Sequence, residues 1–330
     1  MLKEGNKTGT AVFVNAPLTN KISGMRLKKV EKGDGFFRAL LIRFISTVSG
    51  MRLPDAARIV MYHRDFYGKP MTTWTQAAMR GESSWSVGER ELFAAMTAKW
   101  NSCPFCIDAH GAIASLALNK TMVAASLADF RQANLPSKLY AILEVLEILT
   151  KTPDELTKEQ VATVLQNGIS ARELEDAMAI VALFGITVRC ANTFNFEMLD
   201  NAELFQAAKR MLTQGYVFGK GKMKGLPDHR TLAEELRKRV LEGPGLTNTE
   251  FRQAFAKRAT DGPALSDPDY DKLALQIGQC SYKVTDEQVV KVVRKSGSEK
   301  AAFELMTAAA VNSGLYRWQR GLSLLKEVEK

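Results

Sequence analysis

Cysteine and histidine are both rare in this chain, at four and three of 330 residues. Four thiols (Cys103, Cys106, Cys190 and Cys280) are too few to staple a secreted domain of this length, which excludes a disulfide scaffold. Strand-like alternation is scarce, so a sheet protein is not expected. No stretch is expected to reach the roughly 18 apolar residues of a membrane span. The opening MLKEGNKTGTAVFVNAPLTN lacks the apolar core of a signal peptide. The expected compartment is therefore the cytoplasm. No flavin or haem motif is visible, and no cofactor is expected.

The net charge of +9 sits almost wholly at the amino end, where residues 1–70 hold 13 Lys/Arg against 5 Asp/Glu. A basic arm can address nucleic acid or an anionic membrane. Here the charges form no dense cluster or known motif, so a solvated arm is expected and nucleic-acid binding is not.

At 46% hydrophobic and 25% charged residues the chain has enough apolar matter for an ordinary core. Helix starts are abundant. Capping boxes are expected at Ser86/Glu89, Thr157/Gln160, Ser170/Glu173, Thr247/Glu250 and Thr285/Gln288. Arg172 to Leu199 reads as one long helix, or two with a bend near Gly185. The expected fold is all-α. Residues 1–35 read as a basic, poorly ordered arm. Residues 36–214 read as one packed domain, whose first helix, FFRALLIRFISTV, is apolar almost all round and is expected to pack on its own domain rather than on a membrane surface. Residues 215–227, rich in Gly and Lys, read as a linker, and 228–330 as a second helical domain. Thr157-Lys-Glu-Gln-Val161 recurs as Thr285-Asp-Glu-Gln-Val289, and Arg189 recurs as Arg317 at the same offset. The second half is thus expected to be a degenerate relative of the first, without its CxxC; a chance match of helix-start signals is the alternative.

Four residues carry the chemistry: Glu91, Cys103, Cys106 and His110. Two cysteines three apart can close a disulfide on themselves, and a histidine four residues past the second shares its helix face. Ser102 is expected to cap a helix whose first turn holds Cys103 and Pro104. There the helix dipole would favour a Cys103 thiolate. Two alternatives are a zinc site, for which three ligands on adjacent turns of one helix give poor tetrahedral geometry, and a pair of structural cysteines.

The pattern of Glu91, eleven residues, Cys103, two residues, Cys106, three residues, His110 resembles the alkylhydroperoxidase D (AhpD)-like branch of the carboxymuconolactone decarboxylase superfamily. The resemblance covers roughly residues 50 to 200. It implies an AhpD-like helical domain, followed here by a degenerate AhpD-like domain, and thiol-dependent reduction of hydroperoxides. It implies Cys106 as the peroxidatic thiol, Cys103 as the resolving thiol nearer the surface, and Glu91 with His110 as a proton relay. As partners it implies an external dithiol, lipoyl-bearing or thioredoxin-like, and further copies of the chain in a homo-oligomer. The reading from a different class is a redox-sensing or scaffold protein whose disulfide switches a partner surface.

Overall fold

Polar residues at the right offsets start the helices. Ser86, Thr157, Ser170 and Thr285 each accept from the backbone N–H three residues on, and Glu89, Gln160, Glu173 and Gln288 reach back to the cap, completing four of the expected boxes. The structure, a computed structural model, describes residues 24–217 and 225–330. Among these residues there are helices and no strand. In chain order the helices are α1 (Lys28–Lys32), α2 (Phe36–Ser49), α3 (Asp55–Tyr62), α4 (Lys69–Arg80), α5 (Val87–Trp100), α6 (Pro104–Ala117), α7 (Lys120–Asp129), α8 (Ser137–Lys151), α9 (Lys158–Gln166), α10 (Ala171–Phe194) and α11 (Asn201–Gln214). After the expected linker come α12 (His229–Arg237), α13 (Thr249–Arg258), α14 (Pro268–Cys280), α15 (Asp286–Ser296) and α16 (Glu299–Val328).

The two longest helices, α10 and α16, lie against each other at the centre. Close approach is set by Gly314. A Cβ there would meet Ile186 Cγ1 at 2.4 Å and the Ala182 carbonyl at 2.5 Å. Among the described residues α10 is the one helix long and apolar enough to cross a membrane, contrary to expectation. Of its apolar window 89% is buried, as befits a central core helix packed on all sides. It continues as one helix through Gly185 and stops at Asn195, whose φ of 57° is left-handed.

The expected pair of separate cores is absent. Buried side chains from Met25 to Leu325 form one continuous cluster. Residues 24–35 are not a loose arm either. Met25, Leu27 and Val30 are buried, and Arg26 donates to Asp286 at 2.6 Å, to the Asn192 carbonyl at 2.7 Å and to the Val284 carbonyl at 2.8 Å. The guanidinium thereby ties the end of α10 to the start of α15, a contact no local pattern could reveal. Residues 1–23 and 218–224, the rest of the expected arm and most of the expected linker, lie outside the described residues.

The two halves exchange equivalent contacts. Arg189 on α10 donates to the Gly278 carbonyl on α14, and Arg317 on α16 donates to the Thr150 carbonyl on α8. Both pairs are offset by the same 128 residues. Earlier in the chain the offset is 162: Arg90 on α5 donates to the Gly81 carbonyl, and Arg252 on α13 donates to the Gly243 carbonyl. The second half is shorter by the difference, 34 residues, and the shortening falls where the first half has α6 and α7. Among the described residues those two helices have no counterpart after α13.

The fifth expected box is absent: Asn248, not Thr247, caps α13. Glu304, buried on α16, takes the Thr247 N–H at 2.9 Å and hydroxyl at 2.8 Å, the Leu246 N–H at 2.9 Å and a bond with His63 Nε2 at 3.2 Å. Burial pushes this carboxyl up, but His63 and the two backbone N–H groups outweigh it and hold it at about 2. A carboxyl depressed on folding contributes stability above its unfolded value of 4.5 and loses it as pH falls toward 2. Urea unfolding of wild type and Glu304→Gln is therefore expected to differ by about 3 kcal/mol at neutral pH and to converge across that window. A difference independent of pH would show that the carboxylate charge is not what stabilises this loop.

Candidate active site

Helix α5 is buried along almost its whole length, so its one buried carboxylate, Glu91, must find partners inside the protein. The chain reverses tightly after it. Asn101 ends α5, Ser102 takes a left-handed φ of 52°, and the Cys103 N–H returns to the Ala98 carbonyl at 3.0 Å. Cys103 itself, rather than Ser102, is the N-cap of α6, and Pro104 fills the first position, where a missing N–H is harmless. The reversal lays α6 back along α5. His110, one turn beyond Cys106, then meets the buried carboxylate.

Glu91 is surrounded by donors. His110 Nδ1 lies 2.8 Å from Oε2, Arg80 Nη2 donates to Oε1 at 2.7 Å, and the Tyr216 hydroxyl lies 2.9 and 3.0 Å from the two oxygens. Burial pushes the carboxyl up, but the hydrogen bond and charge of His110, with Arg80 behind them, outweigh it and keep Glu91 below the usual carboxylate range. Burial, with the Glu91 charge beside it, raises the Tyr216 hydroxyl well above its usual range, so it stays a donor. An ionised carboxylate only accepts, so Nδ1 of His110 carries a hydrogen toward Glu91, and Nε2 is the ring nitrogen left for proton exchange. The ring is held edge-on by Phe184 at 4.4 Å and parallel to Tyr216 at 6.3 Å.

Cys103 and Cys106 are free thiols. The neighbouring Cys103 sulfur, with burial, raises the Cys106 thiol well above its usual range. Both cysteines are only 1% exposed, so Cys103 is not the nearer to the surface. What distinguishes them is the cavity. A space of about 220 Å³, mostly apolar, is lined by Cys106 and His110, by Leu53 and Tyr67, and by Met211 and Tyr216. Cys103 does not line it. Cys190 is buried against the Tyr67 hydroxyl at 3.8 Å, and burial pushes its thiol to about 12, which makes it inert. Among the described residues no group of three His, Cys, Asp or Glu side chains is arranged to hold a metal ion.

All four residues expected from the sequence, Glu91, Cys103, Cys106 and His110, thus converge. Two more join them unannounced. Arg80 ends α4 and gives no local signal. Tyr216 falls in the expected Gly/Lys linker, where an aromatic pair, Tyr216 and Phe218, between glycines was the available hint. His63 and His229 also pair with buried carboxylates, His63 with Glu304 and His229 Nε2 lying 3.2 Å from Asp176.

No family model and no curated protein matches the chain. Among solved structures, one is the alkylhydroperoxidase AhpD core of an uncharacterized peroxidase-related protein from Ralstonia eutropha JMP134. It is 24% identical, with a TM-score of 0.44, over 51% of this chain and 88% of that one. A second, an uncharacterized peroxidase-related protein from Silicibacter sp. TM1040, is 19% identical, with a TM-score of 0.49, over 57% and 98%. Among the described residues the fold is all-α, and over about half of its length the chain is similar to these two structures.

Proposed function

We propose that this chain is a thiol-dependent peroxidase that reduces organic hydroperoxides. The observation that carries the reading is the dithiol beside an oriented base: Cys106 lines an apolar cavity with His110, whose Nδ1–H is fixed on an ionised Glu91. A raised Cys106 thiol is protonated at rest, so its proton must be taken during reaction, and His110 Nε2 is the acceptor. The Cys106 thiolate attacks the terminal peroxide oxygen, the O–O bond breaks, and the alkoxide takes the proton from His110 and leaves as an alcohol. Cys106 is then a sulfenic acid. The Cys103 sulfur attacks it, water leaves, and a disulfide remains. An external dithiol, lipoyl-bearing or thioredoxin-like, reduces it by exchange. Placement of Cys106 and not Cys103 in the cavity supports this division of roles.

We further infer that the second half is a degenerate copy of the first, shortened by the loss of the redox helix. The reciprocal Arg189 and Arg317 contacts and the 34-residue deficit support this. One redox centre per chain follows.

The test is mass spectrometry of the reduced chain after stoichiometric cumene hydroperoxide, and turnover assays with excess dithiol. Expected are loss of two hydrogen atoms mapped to a Cys103–Cys106 peptide and consumption of many equivalents of peroxide. A single slow oxidation without turnover would favour the switch reading, in which the disulfide alters a partner surface.

A further inference from the structure

Helix α2 stands out from the other described helices because it buries none of its residues. It rests on its own domain, as expected, but only through the half-buried Ala39, Ile42, Ile45, Ser46 and Ser49 and a bond from Arg38 to the Tyr62 carbonyl. Its apolar side chains are turned outward: Phe37 is 84% exposed, Phe44 62% and Val48 71%, with Phe36, Leu40 and Leu41 beside them. At 100° per residue these six cover about 140° of arc on one side of the helix. Arg38 and Arg43 fall on either side of that row. Left-handed glycines bracket the helix, Gly35 at φ 95° and Gly50 at φ 67°.

The charge that α2 itself carries has one sign. From Phe36 to Ser49 it contains Arg38 and Arg43 and no Asp or Glu, while Arg52 beyond it is held in ion pairs by Asp55 and Glu197. Residues 1–50 hold nine Lys/Arg against three Asp/Glu. A second copy laid on the face about a two-fold axis would set arginine beside arginine, with no carboxylate from α2 to answer either. An anionic lipid surface answers both features, taking the aromatic row into its acyl boundary and the arginines among its headgroups. Met51 and Leu53, which follow shortly after α2, line the cavity.

We propose that α2 is an interfacial anchor that lays its Phe36-to-Val48 face on an anionic lipid bilayer. The proposal does not depend on the peroxidase reading, because its test is binding. The full-length chain is co-sedimented with phosphatidylcholine vesicles and with vesicles of phosphatidylcholine and phosphatidylglycerol. Binding to the anionic vesicles is expected, and little to the neutral ones. Arg43→Glu, a change of two charges, is expected to weaken it about thirtyfold, and Phe37→Asp with Phe44→Asp to abolish it while circular dichroism stays unchanged, since α2 supports no core. Absence of binding to anionic vesicles, or equal binding to both kinds, overturns the proposal. So does light scattering that finds a lipid-free dimer made monomeric by the double phenylalanine change when the wild type ignores vesicles; the face would then belong to a second copy.

Discussion

Cys106→Ser is expected to lower hydroperoxide turnover by roughly a thousandfold or more, about 4 kcal/mol of barrier, because no other thiol on the chain is placed to attack. Cys190 is a buried thiol pushed to about 12. Cys103 does not line the cavity. A serine hydroxyl beside His110 is no substitute for a sulfur nucleophile on an O–O bond. Cys103→Ser has a different signature. The first oxidation still occurs, the product is a Cys106 sulfenic acid with no sulfur to resolve it, and turnover stops after one equivalent; a dimedone adduct on Cys106 would report it. It also removes the neighbouring sulfur that is the first cause of the raised Cys106 thiol. The single oxidation in Cys103→Ser is therefore expected to be no slower than in wild type. If the first oxidation instead fails in Cys103→Ser and survives in Cys106→Ser, the attacking thiol is Cys103, as its place at the head of α6 would favour.

The contrast between these residues and their supports marks how far the sequence could be read. Glu91, Cys103, Cys106 and His110 were legible because their spacing is local: a tight reversal after Trp100 and one helical turn from Cys106 to His110 bring them together without help from distant chain. Four capping boxes were legible for the same reason. Thr247 failed because a carboxylate 57 positions later competes for its hydroxyl, and long-range competition leaves no mark on a local motif. Arg80 and Tyr216 were invisible on the same ground. The internal repeat was half legible. An offset of 128 aligns Thr157 with Thr285, but the earlier match of Arg90-Glu-Leu-Phe-Ala with Arg252-Gln-Ala-Phe-Ala needs 162, and a single fixed offset cannot find both. Composition misread the amino end. Residues 24–35 look polar by average, yet three apolar side chains and one guanidinium decide their placement.

Glu91→Gln is expected to cost both activity and stability, and the two losses have separate causes. For activity, the carboxylate orients His110 through Nδ1 and stabilises the imidazolium that forms when Nε2 takes the Cys106 proton. A neutral amide can keep an orienting bond only by turning its oxygen to Nδ1, and it offers no charge to the imidazolium; a loss of about a hundredfold in turnover follows. For stability, Arg80 is the partner left behind. Its guanidinium is 10% exposed, and its remaining bonds are to the Met79 and Met211 carbonyls, which carry no charge. A buried cation deprived of its anion is expected to destabilise the fold by about 3 kcal/mol. Tyr216→Phe separates the two effects. It removes one donor to Glu91, keeps the ring parallel to His110 and leaves the Arg80 ion pair intact. It is expected to leave the unfolding midpoint nearly unchanged, and to lower turnover less than Glu91→Gln does. If Glu91→Gln unfolds no more readily than wild type yet still loses turnover, Arg80 finds another partner and only the relay is at stake. If it loses stability and keeps turnover, the carboxylate is a structural counter-ion to Arg80, and His110 works without it.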